Sequence, residues 1–205
     1  MAGSNPAALS PPDPVWATRG AEALDVIAES LSGLPGAAEA TFDHIGSTSV
    51  PGLAAKPLLD LQVRILPLPS QSDLVNRLGR LGYEEAVGAR PDSPGVHRDL
   101  PRPGDPPPDD DLWEKRLLTN RDQAVILHVR RSDSPWGLYT VWFRDWLRAD
   151  PDARARYEAV KRTLAEQNVG KPDYDDYTRA KTEFFDEVHP VFCQWACEQW
   201  SGNDS

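Results

Sequence analysis

From Leu58 to Ile65 the chain alternates without interruption. Leu59, Leu61, Val63 and Ile65 take one face, and Leu58, Asp60, Gln62 and Arg64 take the other. Such a run predicts a strand with one side on a core and a polar side open to chemistry. A second alternation, "QAVILHVRR", sets Val125, Leu127 and Val129 against Ile126, His128 and Arg130. With "WEKRLLT" it predicts a hairpin joined through "NRD", and "EATFDHIG" predicts a short strand that stops at the turn "GSTSVPG".

Elsewhere the period lengthens. Trp16, Leu24, Ile27, Ala28, Leu31 and Leu34 form one helical stripe, punctuated by Gly33 and Gly36. "SDLVNRLGRLGY" predicts an amphipathic helix capped near Ser72 or Asp73 and ending near Gly82. The last third reads as three helices, "PWGLYTVWFRDWLRAD", "PDARARYEAVKRTLAEQ" and "DYDDYTRAKTEFFDEVHPVFCQWACEQW". Pro190 should kink or restart the last of them. Residues 88–111 carry too many prolines for regular structure, so a long proline-rich loop is expected over 91–111. Residues 1–13 read as a mobile tail, and 14–200 as one domain. The order of elements predicts α+β architecture: a mixed β-sheet flanked by helices, with a helical C-terminal third.

Charge narrows the partners. A formal net charge of -10 over 205 residues argues against a general nucleic-acid or anionic-membrane surface, although a local basic pocket remains compatible with it. No run approaches the ~20 apolar residues that span a bilayer. The N-terminus lacks a charged segment followed by an apolar one, and there are two cysteines, so a cytoplasmic protein is expected. His189, Cys193 and Cys197 recur every four residues, but two helical turns separate the outer pair by about 12 Å. That is too far for one tetrahedral zinc, and buried thiols are expected instead.

The chemistry concentrates in "HIGSTSVPGLAAKPLLDLQVRI". Gly46 and Ser47 follow a strand, where backbone N–H groups and a hydroxyl can approach a phosphate. Asp60 stands on the polar face of the next strand, where a carboxylate can hold Mg²⁺, and Lys56 adds positive charge at the mouth of the turn. Lys115, Arg116 and Arg130 on the hairpin, beside His128, are candidates for a basic wall over anionic groups. His97 and Arg98 are candidates for a lid.

The segments "DHIGSTSVPGLAAKPLLDLQV", "LHVRRSDSPW", "FRDWLRADPDARARYEAVKR" and "YTRAKTEFFDE" resemble the GrpB family of the polymerase-beta-like nucleotidyltransferase superfamily. The resemblance runs over roughly residues 14–190. It extends to the GrpB-type domain at the C-terminus of some bacterial dephospho-CoA kinases, which shares "DLQV", "W-x-KR" and "LHVR". Residues 1–43 contain no G-x-x-x-x-G-K-[ST] P-loop.

The resemblance implies a nucleotidyltransferase-like sheet with Asp60, His128 and Lys56 in catalytic positions. It implies nucleotide contacts from Gly46, Ser47, Thr48, Lys56, Lys115, Arg116, Arg130, Arg144 and Lys181, with Tyr177 paired to Lys181. Asp60, Gln62 and His128 would hold a divalent metal, Mg²⁺ or Mn²⁺, with zinc admitted by the imidazole. ATP or another nucleoside triphosphate would be the substrate. One departure stands out: Asp60-Leu61-Gln62 replaces the usual pair of carboxylates, and an amide supplies only a neutral oxygen. Two readings follow: a nucleotidyl or phosphoryl transferase (or ATP-dependent ligase) acting on a small acceptor, or a non-catalytic module that binds a nucleotide or assists a partner protein.

Overall fold

The computed structural model describes residues 6–88, 93, 95–101, 105 and 111–202, with side chains as far as residue 199. Five strands make one sheet: β1 (Thr41–Ile45), β2 (Leu59–Arg64), β3 (Glu84–Glu85), β4 (Lys115–Asn120) and β5 (Val125–Arg130). Their spatial order is β1-β2-β5-β4-β3. The central pair, β2 and β5, is parallel, and the other neighbours are antiparallel. This is the mixed sheet that the alternation predicts, with the two-residue β3 added at the edge.

The two faces of the sheet are covered differently. Leu59, Leu61, Val63, Leu118, Val125, Leu127 and Val129 pack against α1 (Val15–Leu31) and α2 (Gln71–Leu78) through Ile27, Leu31, Leu74 and Leu78. The polar face looks toward α3 (Pro135–Ala149), α4 (Pro151–Gln167) and α5 (Asp175–Gly202). These three helices have an aromatic core of their own, in which Phe143, Trp146, Tyr157, Phe184 and Phe192 interlock. Ser134 and Asp150 cap α3 and α4, each followed by proline at the first helical position, where a missing N–H costs nothing. No helix among the described residues is long and apolar enough to cross a membrane.

Three local expectations need correction. The cap of α2 is Ser70, two residues ahead of the expected position, and its hydroxyl accepts the Asp73 N–H at 3.1 Å. Of the two outcomes expected at Pro190 the restart does not occur: α5 runs through it, with Val188 and Phe192 packed in the aromatic core on either side. The tail is tied down from residue 6 onward. Ala7 is wholly buried beside Ala165 and Tyr177, and Ser10 exchanges backbone hydrogen bonds of 2.8 and 3.1 Å with Ala55. Residues 1–5, and most of the loop expected over 91–111, lie outside the described residues.

Candidate functional site

The turn after β1 delivers the site. Gly46 has φ 70° and ψ -171°, a region that only glycine occupies comfortably. A Cβ added there would stand 2.4 Å from Asp60 Oδ2. The glycine thus lets the chain pass directly over the Asp60 carboxylate. Gly46→Ala should displace Asp60 and cost about 1–3 kcal/mol from backbone strain alone. Urea unfolding of the variant checks this, and an unchanged midpoint would show that the turn adapts.

Beyond the turn a cavity of about 590 Å³ opens between the sheet and α5. Ser47, Thr48 and Lys56 line it from the turn side, and Asp60, His128 and Lys115 from the strands. Tyr174, Tyr177 and Lys181 close it from the end of α5 and the residue before it. Ser93, Gly95 and Val96 from the proline-rich segment form the outer rim, so the segment borders the cavity through these residues rather than through His97 and Arg98. The turn is held from behind: the Ala54 N–H donates to Glu158 Oε2 at 3.0 Å, and Lys161 Nζ donates to the Ala54 carbonyl. Thr48 donates to the Leu58 carbonyl at 3.3 Å, and His44 Nε2 lies 3.0 Å from the Thr48 hydroxyl.

The charges are concentrated and mutually dependent. Burial, reinforced by Lys181, lowers the Lys56 ammonium to about 7, against the pull of Asp60 and Asp175. Its Nζ sits 3.4 Å above the Tyr174 ring, a cation–π position. Burial also lowers Lys181, which Asp60 partly counters. For Asp60, burial works to raise the carboxyl, but His128, Lys181 and Lys56 outweigh it and hold it below its ordinary value. His128 Nε2 stands 3.6 Å from Asp60 Oδ1, beyond a formed hydrogen bond. Burial lowers His128 to about 4, so the ring is neutral at physiological pH.

Not every expected residue reaches the cavity. Gln62 is fully buried, and its amide donates to the Gly137 carbonyl at 3.0 Å. Its Oε1 accepts from Arg130 Nη1 at 2.8 Å and from the Thr140 hydroxyl at 3.0 Å. That oxygen faces the Arg130 guanidinium and the side chain is wholly buried, so Gln62 cannot be a metal ligand as it stands. Arg130 is buried in a two-pronged bond to Asp99, 2.6 and 3.0 Å, and holds the loop, not a ligand. Arg144 binds Asp145, the His44 carbonyl and Asp43, locking α3 to β1. Arg116 alternates with Lys115 and points to the opposite side of the sheet, toward Glu114.

Sequence reasoning missed Tyr174 and Asp175, which line the cavity, and also Asp99. It pairs with Lys115 at 3.1 Å as well as with Arg130, and it sits in a proline-rich segment that shows no periodicity. Its only signal was a carboxylate in "GVHRDL", ahead of a hairpin rich in basic residues.

The cavity donors do not fit a divalent-metal centre. Mg²⁺ requires an octahedron of oxygens. Gln62 is withdrawn, Asp175 Oδ2 accepts from Ser93 at 2.6 Å, and two lysines act on Asp60. Among the described residues no three His, Cys, Asp or Glu side chains are grouped to hold a metal.

Comparison with known proteins agrees with this architecture. The family described as "GrpB protein" matches residues 6–190. The chain belongs to the GrpB family. Its GrpB region is 33% identical over 201 residues to a protein named dephospho-CoA kinase from Mycolicibacterium paratuberculosis, across 93% of this chain and 47% of that protein. It is 40% identical over 146 residues to a UPF0157 protein of Streptomyces coelicolor, across 71% of this chain and 65% of that protein. The chain spans about half the length of the dephospho-CoA kinases that it matches. The crystal structure of the conserved protein GrpB from Enterococcus faecalis has the same fold: TM-score 0.67 at 23% identity, over 92% of this chain and 99% of that one.

Proposed function

We propose that the cavity binds a nucleotide or a similar phosphorylated small molecule and presents it to an acceptor. The observation that carries this is the convergence of Lys56 and Lys181 on Asp60 beside the Ser47 turn, within a cavity of drug-like size. GrpB membership and relatives named dephospho-CoA kinase point in the same direction, toward nucleotide-related chemistry. In this reading the lysines and the Ser47 and Thr48 hydroxyls meet phosphate oxygens, and Tyr174 and Tyr177 supply flat apolar surface. Asp60 accepts the proton of the acceptor's hydroxyl or amine as its bond to phosphorus forms and the bond to the leaving phosphate breaks. Neutral His128 lines the cavity beside the carboxylate.

A non-catalytic binding module is the second reading. What favours it is Gln62, which occupies the place of a second carboxylate and is spent on Arg130 and Thr140.

Thermal shift with ATP, ADP and AMP tests binding. At 100 times its dissociation constant a ligand should add about 2.7 kcal/mol, which is about 5–10 °C for a chain of this size. Lys56→Ala should remove most of that shift. If none of the three nucleotides raises the melting temperature, the proposal fails. Release of phosphate or pyrophosphate with an alcohol or amine acceptor separates the transferase from the module.

A further inference from the structure

We infer that the cavity takes its phosphorylated ligand free of any divalent metal, with Lys56 and Lys181 supplying the positive charge that Mg²⁺ supplies in metal-dependent transfer. This rests on the reading of the cavity as a phosphate site and adds the form in which the ligand arrives. It would be a bare phosphomonoester or diphosphate, not a metal–nucleotide complex.

Three independent features of the site support it. The first is the loss of the second ligand position. Gln62 and Asp60 share a strand face, but α3 covers the Gln62 end. Turning Gln62 outward would strip a buried partner from Arg130 and leave the Gly137 carbonyl with the Thr140 hydroxyl as its side-chain donor. The second is the charge around Asp60. A metal ion bound there would enter between two ammonium groups that already act on that carboxylate, and each would repel it. An incoming phosphate meets the opposite situation, because the lysines repel each other and gain by sharing an anion.

The third feature is the placement of Lys56. Its Nζ lies on the face of Tyr174 at 3.4 Å, and both residues line the cavity. An aromatic face favours a cation and offers nothing to phosphate, so it parks the ammonium without competing for the ligand. Lys181, 5.0 Å from the Tyr177 ring, repeats the arrangement one helical turn along α5. Asp175, the other carboxylate lining the cavity, is bonded to Ser93. Among the described residues Asp60 and Asp175 are the two carboxylates that line the cavity, too few oxygens for an octahedral cation.

Calorimetric titration of ADP and of inorganic pyrophosphate into the full chain, in EDTA and in excess Mg²⁺, tests the inference. Affinity in EDTA should equal or exceed that in Mg²⁺, because chelated phosphates offer the lysines less charge. In EDTA, Lys56→Met and Lys181→Met should each weaken binding by about ten- to a hundredfold, the loss expected of one charge-assisted contact. Thermal melting of both variants confirms that they are folded, and either one alone suffices. An affinity gain of about tenfold or more on adding Mg²⁺ overturns the inference and leaves the phosphate-site reading standing. Unchanged affinity in both folded variants overturns it as well. Absence of binding in either buffer sinks both readings together.

Discussion

Asp99→Ala is expected to destabilise the protein by about 3–5 kcal/mol, the cost of leaving buried charge without its partner. Burial works to raise the Asp99 carboxyl, but Arg130 and Lys115 outweigh it and hold it well below the usual carboxylate range. Removing it strands both cations, each about 3% exposed. Lys115 can escape by losing its proton, since burial already brings it down to about 8 against the pull of Asp99. Arg130 has no such route, because a guanidinium does not deprotonate in proteins. The variant should also release the segment that carries Gly95 and Val96, and with it the outer rim of the cavity. Urea unfolding gives the magnitude. A loss below about 1 kcal/mol would place the pair among ordinary surface bridges and contradict its burial.

The second large effect is acid sensitivity that begins unusually early. Burial lowers both His44 and His128 to about 4; Arg130 and Lys115 reinforce it at His128, Arg148 and Arg144 at His44, while Asp60 opposes it at both. In the unfolded chain each returns to about 6.5, so between pH 6.5 and 4 the unfolded state binds more protons and folding weakens as pH falls. The stabilisation is complete above about pH 6.5, and each histidine can withdraw about 3 kcal/mol by pH 4. Together they approach the whole stability of an ordinary domain. Below that, Asp99 adds its own loss as its depressed carboxyl is finally protonated. Melting temperature should therefore fall steeply from pH 6.5 to 4.5, and His128→Gln should roughly halve the slope. A flat profile over that range would mean that the imidazoles are charged or solvated in the folded state.

At the alkaline end the slope keeps the same sign. Lys56 and Lys161 are lowered to about 7 and Lys115 to about 8, chiefly by burial. Their folded values lie below the unfolded ones, so stability rises with pH from about 7 toward 10, where the folded chain has released protons that the unfolded chain still holds.

How much of this was legible beforehand depended on locality. The alternation around Asp60 and His128 survives translation into structure because side-chain direction in a strand follows from position alone. The same rule placed Gln62 and Arg130 on the correct face and still misjudged them. A strand face is not uniform: α3 roofs one half of it and the cavity opens over the other, and only the packing of Gly137 and Thr140 reveals where the division falls. Arg116 was grouped with Lys115 by proximity in sequence, although a period of two sends neighbours to opposite sides. Asp99 escaped because its partners, Lys115 and Arg130, lie 16 and 31 residues away, on a different element. The N-terminal segment was misread because proline and alanine look like disorder in composition. A single methyl group can nevertheless fill a hole between helices, as Ala7 does against Ala165 and Tyr177.

That last contact has a practical side. Ala7 rests on Tyr177 and Ser10 is stitched to Ala55, and both Tyr177 and Ala55 belong to the wall of the cavity. A purification tag joined ahead of residue 6 would therefore leave the fold next to the place where ligands are to be measured. A histidine tag there would bring imidazoles and bound nickel to a pocket whose response to metal is the point at issue. Protein for such titrations should carry its tag at the other end, or have it removed.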